Sequence, residues 1–275
     1  MSECPERTER VLLTERTGAV LTLTLNRPHV RNALDSALIA ALRRGLAGAA
    51  ADPTVEAVII TGADPAFCAG LDLKELGDTG EQLTATDGRP PAGRAWAPLP
   101  KPVIGAVNGA AITGGLEIAL NCDVLIASDR AVFADTHARI GVLPGWGLSV
   151  LLPRRVGFPM ARRMSFTGDF VPAGEALRIG LVTEVVPHEE LLPAARRLAR
   201  AMTGGHAPAV AALVESYRRI EEVAAGEGRV IEAEASRSWL TGFDPAEVAR
   251  RRAGVMARGR ARRAAATAGE NEDGT

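Results

Sequence analysis

The chain has 275 residues, a formal net charge of −1, 47% hydrophobic residues and 4% aromatic residues. Its length predicts one large domain, or a core domain with a smaller appendage, built around a sizeable aliphatic core. The near-zero charge argues against a general attraction to nucleic acid or to an anionic membrane surface. Cys4, Cys68 and Cys122 have neither a disulfide-framework spacing nor a metal-ligand spacing, which favours the reducing cytoplasm and no bound metal.

The N-terminus and one central segment bear on targeting. The first ten residues are charged and contain no apolar run, so we expect no secretory signal. Residues 102–127 are apolar enough to resemble a membrane span, but they are interrupted by Asn108, Glu117, Asn121 and Asp123. These polar residues predict a buried element of a soluble protein instead of a span.

The first half of the chain alternates between predicted strands and predicted helices. Apolar alternation predicts a strand over 18–25, and helical spacing predicts an amphipathic helix over 34–50 that Asp35 caps. A short buried strand is predicted at 57–62, followed by a loop and a short helical piece. Residues 77–98 are rich in Gly, Pro, Thr and charge, which predicts a mobile surface segment.

The second half begins with a strand and turn over 101–109 and a helix that opens at Gly114. Strands are then predicted at 123–129, 131–135 and 181–187, and helical segments at 149–157 and 172–180. From Glu189 onward the pattern is helical, over 189–203, 208–225, 228–240 and 244–263. The alternation predicts the α/β class, and residues 264–275 are expected to form a disordered tail.

The most informative residue is Glu117, which follows Gly114 and Gly115 in the apolar run 103–123. Burying an ionisable carboxyl among Ile, Leu and Ala is costly. The glycines allow a close approach to a ligand, and unpaired N–H groups at a helix start favour an anion. A free N–H beside an acid–base carboxyl suits enolate chemistry. The alternative is a structural carboxylate that pairs with an Arg or caps its own helix.

Two glycine-bearing loops, 66–73 and 110–120, each follow a buried strand. Neither has the Gly-Lys-Ser/Thr of a phosphate loop, and neither has GxGxxG at a strand–helix junction. Lying side by side, the loops would each offer one N–H to the same oxygen atom. The alternative is that their glycines only close turns.

Four further residues carry a functional and a structural interpretation. His137 has an intrinsic pKa suited to acid–base work near neutrality, although a single His is more often structural. Asp72 and Asp123 favour a role in tying down backbone. Cys68 has no adjacent His to activate it, which favours a small packed side chain.

Together these motifs resemble those of the enoyl-CoA hydratase/isomerase (crotonase) family, in the family's order and approximate spacing. The matching segments are LNRPHVRNALD (25–35), AFCAGLDLKEL (66–76), KPVIGAVNGAAITGGLEIALNCD (101–123), IGVLPGWG (140–147) and FTGDFVPAGEALRIGLVTEVVP (166–187). The resemblance implies a crotonase-like spiral of ββα units with a helical C-terminal region. Residues 1–190 would form the core with the acyl-CoA site, and 191–263 a helical oligomerisation region.

The resemblance also implies a substrate site. Family members bind acyl-CoA with the thioester oxygen in an oxyanion hole of two backbone N–H groups, which by motif belong to Leu71 and Gly114. Because the substrate carries coenzyme A, no separate cofactor is implied. The implied contacts with coenzyme A come from Arg31, Ala69, Leu71, Asp72 and Lys74.

One departure from the family pattern concerns the acid–base residues. Family hydratases use two glutamates, and Glu117 matches the first. The second lies four residues before a glycine and seven before a proline, and with Gly141 and Pro144 as anchors this position is His137. His137 would then replace the carboxyl, or position water for Glu117 alone, or the chain would do different chemistry or none. The neighbouring Asp135 and Trp146 suggest a reshaped acyl pocket without deciding among these outcomes.

The favoured activity is reversible hydration of a 2-enoyl-CoA, with Glu117 and His137 as the catalytic candidates. The alternatives are an isomerase, a thioester hydrolase or a lyase of the same fold, or a non-catalytic acyl-CoA-binding protein. The expected partners are the acyl-CoA substrate and further copies of this chain, in a trimer or a hexamer. Neither nucleic acid nor a membrane is expected as a partner.

Overall fold

A computed structural model describes residues 10–78, 93–203 and 206–241, together with the single positions 246, 252, 254, 256, 257, 260 and 261. The predicted tail at 264–275 lies outside these described residues. So do most of the predicted surface segment at 77–98 and most of the predicted helix at 244–263.

Within the described residues, strands form a larger and a smaller sheet. The larger sheet has the order β1-β2-β3-β4-β6-β9, in which β1 and β2 are antiparallel and the other neighbours are parallel. Its strands are β1 (Leu12–Thr17), β2 (Val20–Leu25), β3 (Ala57–Gly62), β4 (Val103–Val107), β6 (Val124–Ser128) and β9 (Glu184–Val186). The smaller sheet, of order β5-β7-β8, contains β5 (Ala110–Ile112), β7 (Val132–Ala134) and β8 (Val171–Pro172).

Helices connect and cover these strands. They are α1 (Ser36–Ala51), α2 (Leu73–Asp78), α3 (Gly114–Leu120), α4 (His137–Ile140), α5 (Leu148–Thr167), α6 (Ala173–Arg178), α7 (Leu191–Thr203) and α8 (Ala207–Leu240). The predicted cap of α1 is confirmed, because the carboxylate of Asp35 accepts the N–H of Leu38 at 2.7 Å. Across the described residues, no helix combines the length and the apolar character that a membrane crossing needs.

The core lies on both faces of the larger sheet. Every residue of β3 is buried, as expected for a strand covered on two sides. One face packs against α1, which buries Leu38, Leu42 and Leu46. The other face packs against α7, whose buried residues include Leu191 and Ala195. The C-terminal helical region therefore begins with a helix of the core, while the domain boundary after residue 190 stays a prediction.

The first strand and the last long helix are among the elements that differ from the sequence-based expectations. Strand β1 was not predicted, because its sequence LLTERT shows no apolar alternation and five of its six residues are exposed at the sheet edge. The predicted helices at 208–225 and 228–240 form the single helix α8, so the glycines at 226 and 228 do not end it. A glycine costs a helix only about 1 kcal/mol, which the rest of a long helix offsets.

Candidate active site

Glu117 is placed by α3, the short helix that begins at Gly114. All seven residues of this helix are buried, and Glu117 is only 4% exposed. Its Oε1 atom accepts the backbone N–H of Trp146 at 2.7 Å and that of Gly145 at 3.2 Å. These two donors hold the carboxylate in one orientation, in which Oε2 lies 3.6 Å from Nε2 of His137.

The turn that supplies these donors is itself held in place from two sides. The Asn121 side chain donates to the backbone oxygens of Trp146 and Glu117, both at 2.8 Å. The Arg43 guanidinium lies 5.8 Å from the centroid of the Trp146 ring, within cation–π range. Sequence reasoning did not find these supports for Glu117, although the two glycines of the PGWG segment indicated a tight turn.

His137 is the first residue of α4, and its ring lies between two carboxylates. Its Nδ1 atom is 2.6 Å from Oδ1 of Asp135, and its Nε2 atom is 3.6 Å from Oε2 of Glu117. All three side chains are buried, with at most 4% of each residue exposed. The structure thus brings Asp135, His137 and Glu117 into one row, with the imidazole at its centre.

The electrostatics of this row favour a charged imidazole. Burial alone would lower the pKa of His137, but its hydrogen bonding and charge interactions with Asp135 and Glu117 prevail and raise this pKa to about 10. For Asp135, burial alone would raise the pKa of the carboxyl. The hydrogen bonds and the charge of His137 outweigh burial and lower this pKa below its ordinary value. The imidazole at this position is therefore protonated across the neutral pH range.

The two segments that carry Glu117 and His137 are joined directly. The hydroxyl oxygens of Thr113 and Thr136 are 2.5 Å apart, and Thr113 Oγ1 also accepts the backbone N–H of Thr136 at 3.1 Å. Thr113 has a φ angle of 56°, which a β-branched residue rarely adopts. Strain of this kind costs on the order of 1–3 kcal/mol and persists where the surroundings enforce it.

The two glycine-bearing loops pair with each other as expected. Cys68 donates its N–H to Ala110, and Ile112 donates to Cys68, each at 2.9 Å. The backbones of the two loops pass so close that a Cβ atom added to Gly115 would lie 2.2 Å from the Cys68 carbonyl oxygen. Glycine is therefore required at position 115, whereas Cys68 is a packed residue whose pKa is raised to about 12 by burial.

This pairing places the N–H groups of Leu71 and Gly114 beside each other. A Cβ atom added to Gly114 would lie 3.6 Å from the nitrogen of Leu71. Gly70 has a φ angle of 91°, so the chain turns at this point through a conformation that favours glycine. Within the described ranges, neither the Leu71 N–H nor the Gly114 N–H donates a hydrogen bond to another residue.

The residues implied in coenzyme A binding occupy one neighbourhood on this loop. Ala69 donates its N–H to the carbonyl of Arg31 at 3.0 Å, and Lys74 is exposed at the start of α2. Asp72 accepts the N–H of Lys74 at 3.1 Å and forms an ion pair with Arg27, also at 3.1 Å. The Asp72 carboxylate thus ties down the loop, as the backbone interpretation of this residue predicted.

A buried carboxylate–imidazole pair beside two N–H groups that have no acceptor among the described residues, on a fold of strands and short helices, characterises an enzyme site for acyl chemistry. The chain belongs to the enoyl-CoA hydratase/isomerase family, whose sequence model matches residues 15–241. The family and the α/β crotonase-like fold predicted from the sequence are therefore confirmed.

Individual relatives agree with this assignment. The chain is 39% identical to the 2,3-dehydroadipyl-CoA hydratase of Escherichia coli over 220 residues, which are 79% of this chain and 85% of the relative. The crystal structure of an enoyl-CoA hydratase from Mycobacterium avium superimposes with a TM-score of 0.77 at 55% identity, covering 84% of this chain and 97% of that chain. An enoyl-CoA hydratase from Mycobacterium tuberculosis gives the same TM-score of 0.77 at 54% identity, covering 84% and 98%.

Proposed function

We propose that this chain is a lyase that reversibly hydrates a 2-enoyl-CoA in the cytoplasm. The observation that carries the proposal is the 3.6 Å approach of Glu117 Oε2 and His137 Nε2, beside the N–H groups of Leu71 and Gly114, which have no acceptor in the part of the chain that the structure describes. Hydration needs a group that takes a proton from water, a group that gives a proton to carbon, and a means of holding an enolate oxygen. These residues supply all three.

The N–H groups of Leu71 and Gly114 are proposed to form the oxyanion hole. Both would donate to the thioester oxygen, which gains negative charge when water adds to the double bond. Each such donor in a water-excluded site contributes on the order of 3 kcal/mol of transition-state stabilisation. The required glycine at position 115 supports this role, because only glycine lets the two loops approach closely enough.

Glu117 is proposed as the base and His137 as the acid. The Glu117 carboxylate takes one proton from water while the water oxygen bonds to the β-carbon of the enoyl group. The π electrons move toward the thioester and form the enolate held by Leu71 and Gly114. The enolate re-forms the carbonyl as its α-carbon takes the proton from Nε2 of His137, which yields the 3-hydroxyacyl-CoA.

The same pair restores itself after each turnover. One addition leaves Glu117 protonated and His137 neutral, with 3.6 Å between Oε2 and Nε2. Transfer of the proton across this gap, directly or through one water molecule, returns both groups to their starting states. A histidine at the second acid–base position is therefore compatible with hydration, and the missing second glutamate does not by itself favour a non-catalytic protein.

Coenzyme A and oligomer contacts complete the proposal. Phosphates of coenzyme A would contact the exposed ammonium group of Lys74 and the guanidinium of Arg31. The backbone near Ala69 and Asp72 would contact the rest of the coenzyme A portion of the substrate. Exposed apolar residues along one stretch of α8 support self-association of this chain, which we propose to be a homotrimer or a pair of trimers. These are Leu213, Tyr217 and Ile220, which are 56%, 69% and 62% exposed.

The proposal is tested with purified protein and 2-enoyl-CoA substrates of short and long chain length. Loss of absorbance from the conjugated enoyl thioester measures hydration. We expect activity in the wild type, a loss of about 10²–10⁴-fold in Glu117→Gln and in His137→Gln, and wild-type activity in Glu175→Gln. Glu175 is the matched control because it pairs with Arg178 at the surface.

Three outcomes would contradict hydration. Conversion of 3-enoyl-CoA to 2-enoyl-CoA without water addition would indicate an isomerase. Release of the free coenzyme A thiol would indicate a hydrolase. Binding of butyryl-CoA without turnover of any enoyl chain length would indicate a non-catalytic acyl-CoA-binding protein.

A further inference from the structure

Asp135 lies behind His137, on the side of the imidazole away from Glu117. Its Oδ1 atom is 2.6 Å from Nδ1 of His137, and the same oxygen accepts the backbone N–H of His137 at 3.1 Å. Two hydrogen bonds to one oxygen fix the ring and the backbone of His137 together. Asp135 is 1% exposed, so water does not compete for these bonds.

We propose that Asp135 is a positioning residue that confines proton exchange on His137 to Nε2, the nitrogen that faces Glu117. With Nδ1–H donating to the Asp135 carboxylate, the neutral imidazole has its lone pair on Nε2. This inference deepens the proposed function and rests on it. Without the carboxylate, the neutral ring would be able to carry its proton on Nε2, where it could not accept the proton held by Glu117.

The groups around His137 support this division of roles. From α3, the charged group that faces it is Glu117, and from α5 the Ser165 hydroxyl favours the ionised form of Asp135. On its own helix, Arg139 is directed to the Thr167 carbonyl oxygen at 2.7 Å, so it does not compete for either carboxylate. Asp135 and Glu117 are thus the two groups that set the charge of the ring.

The residues of α2 do not disturb this arrangement. Lys74 is exposed, and the Glu75 carboxylate accepts the hydroxyl of Ser36 at 2.5 Å. Leu76 of α2 packs in one apolar cluster with Ile140 of α4 and with Val142, which follows that helix. The imidazole therefore has a carboxylate on each nitrogen and apolar packing beside its helix.

The first test compares the pH dependence of hydration in the wild type and in Asp135→Asn. We expect Asp135→Asn to lower kcat on the order of 100-fold, to leave KM within a factor of about three of the wild type, and to move the alkaline limb of the kcat profile to lower pH. The matched control is Asp64→Asn, because Asp64 is 3.1 Å from Nε2 of His188 outside the site. This control is expected to leave the profile unchanged. An Asp135→Asn enzyme with an unchanged alkaline limb would overturn the inference.

The second test does not depend on activity. Nitrogen-15 NMR of selectively labelled histidine reports which ring nitrogen of His137 carries a proton. In the wild type with bound butyryl-CoA we expect Nδ1 to stay protonated on both sides of the titration, whereas Nε2 loses its proton at high pH. In Asp135→Asn the titration is expected to move to lower pH.

The outcomes separate this inference from the proposed function. A wild-type neutral form protonated on Nε2 would overturn the positioning role even if the enzyme hydrates enoyl-CoA, and this measurement needs no variant to fold. An inactive wild type with the expected titration would instead remove the proposed hydration and leave Asp135 in control of the His137 proton. Restoration of kcat and of the alkaline limb in Asp135→Glu, which keeps the carboxylate, would support the inference.

Discussion

Thr113 and Thr136 connect the two halves of the candidate active site through their side-chain oxygens, 2.5 Å apart. Thr113 immediately precedes the helix of Glu117, and Thr136 immediately precedes His137. A buried contact outside these two side chains therefore links the segments that carry Glu117 and His137. Thr113 has its unfavourable positive φ angle at this junction, where the surrounding contacts enforce it.

Removing the hydroxyl at position 136 should loosen this connection. We expect Thr136→Val to reduce the free energy of unfolding by about 1–3 kcal/mol, because Thr113 Oγ1 loses a buried partner, and to lower kcat more than it changes KM. Chemical denaturation and steady-state hydration kinetics measure both effects. Thr183→Val is the control, since its hydroxyl bonds to the Leu125 carbonyl away from the site at 2.9 Å. Equal losses of kcat in the two variants would argue against the connection.

The Asn121 side chain, which holds the turn at 145–147, should also be important for activity. We expect Asn121→Ala to lower kcat on the order of tenfold, because the Trp146 and Gly145 N–H groups would no longer be held against Glu117 Oε1. Steady-state kinetics with a short-chain 2-enoyl-CoA measure the change. The prediction is contradicted if Asn121→Ala retains wild-type kcat while a crystal structure shows that the turn is unchanged.

The close approach of the two loops predicts that glycine is indispensable at position 115. We expect Gly115→Ala to be insoluble or largely unfolded, since the new Cβ would lie 2.2 Å from a backbone oxygen of Cys68. Gly174→Ala is the matched control because a Cβ atom there meets nothing within 4 Å. This control should fold, and it gains about 0.4–1 kcal/mol in stability. Circular dichroism and soluble yield distinguish the two results.

The raised pKa of His137 predicts how stability changes with pH. Because the folded-state pKa of about 10 exceeds the ordinary value of 6.5, the folded protein binds more protons than the unfolded chain between these two pH values. The contribution of His137 is thus fully present below pH 6.5 and is lost as the pH rises through about 10. Denaturant unfolding of the wild type and of His137→Gln over this range should show a difference that depends on pH. A difference that stays constant would contradict the charged imidazole.

Local signals in the sequence predicted much of the fold. The Asp35 cap, strand β3 and the opening of α3 at Gly114 depend on neighbouring residues, so pattern and capping rules identify them. Strand β1 escaped prediction because it is an edge strand whose outward side chains carry no apolar alternation. The continuity of α8 depends on its whole length, which a rule applied to the glycines at 226 and 228 does not capture.

In the candidate site, too, some features were predicted from the sequence and others were found only in the structure. The motifs and the family resemblance brought forward Glu117 and His137, and the structure places these two side chains together. Sequence reasoning did not predict that Trp146 donates to Glu117, because 29 residues separate them. It named Asp135 only as a neighbour, since the direction of a side chain two residues from a histidine follows from the turn between them.

The position of Trp146 gives the protein a built-in optical reporter. The chain has three tryptophans. The backbone N–H of Trp146 donates to the Glu117 carboxylate, and its indole lies near the Arg43 guanidinium. Trp96, by comparison, is 6% exposed among core residues. Any rearrangement around the Glu117 carboxylate should therefore change the emission of a natural fluorophore, so that ligand entry becomes visible without a label.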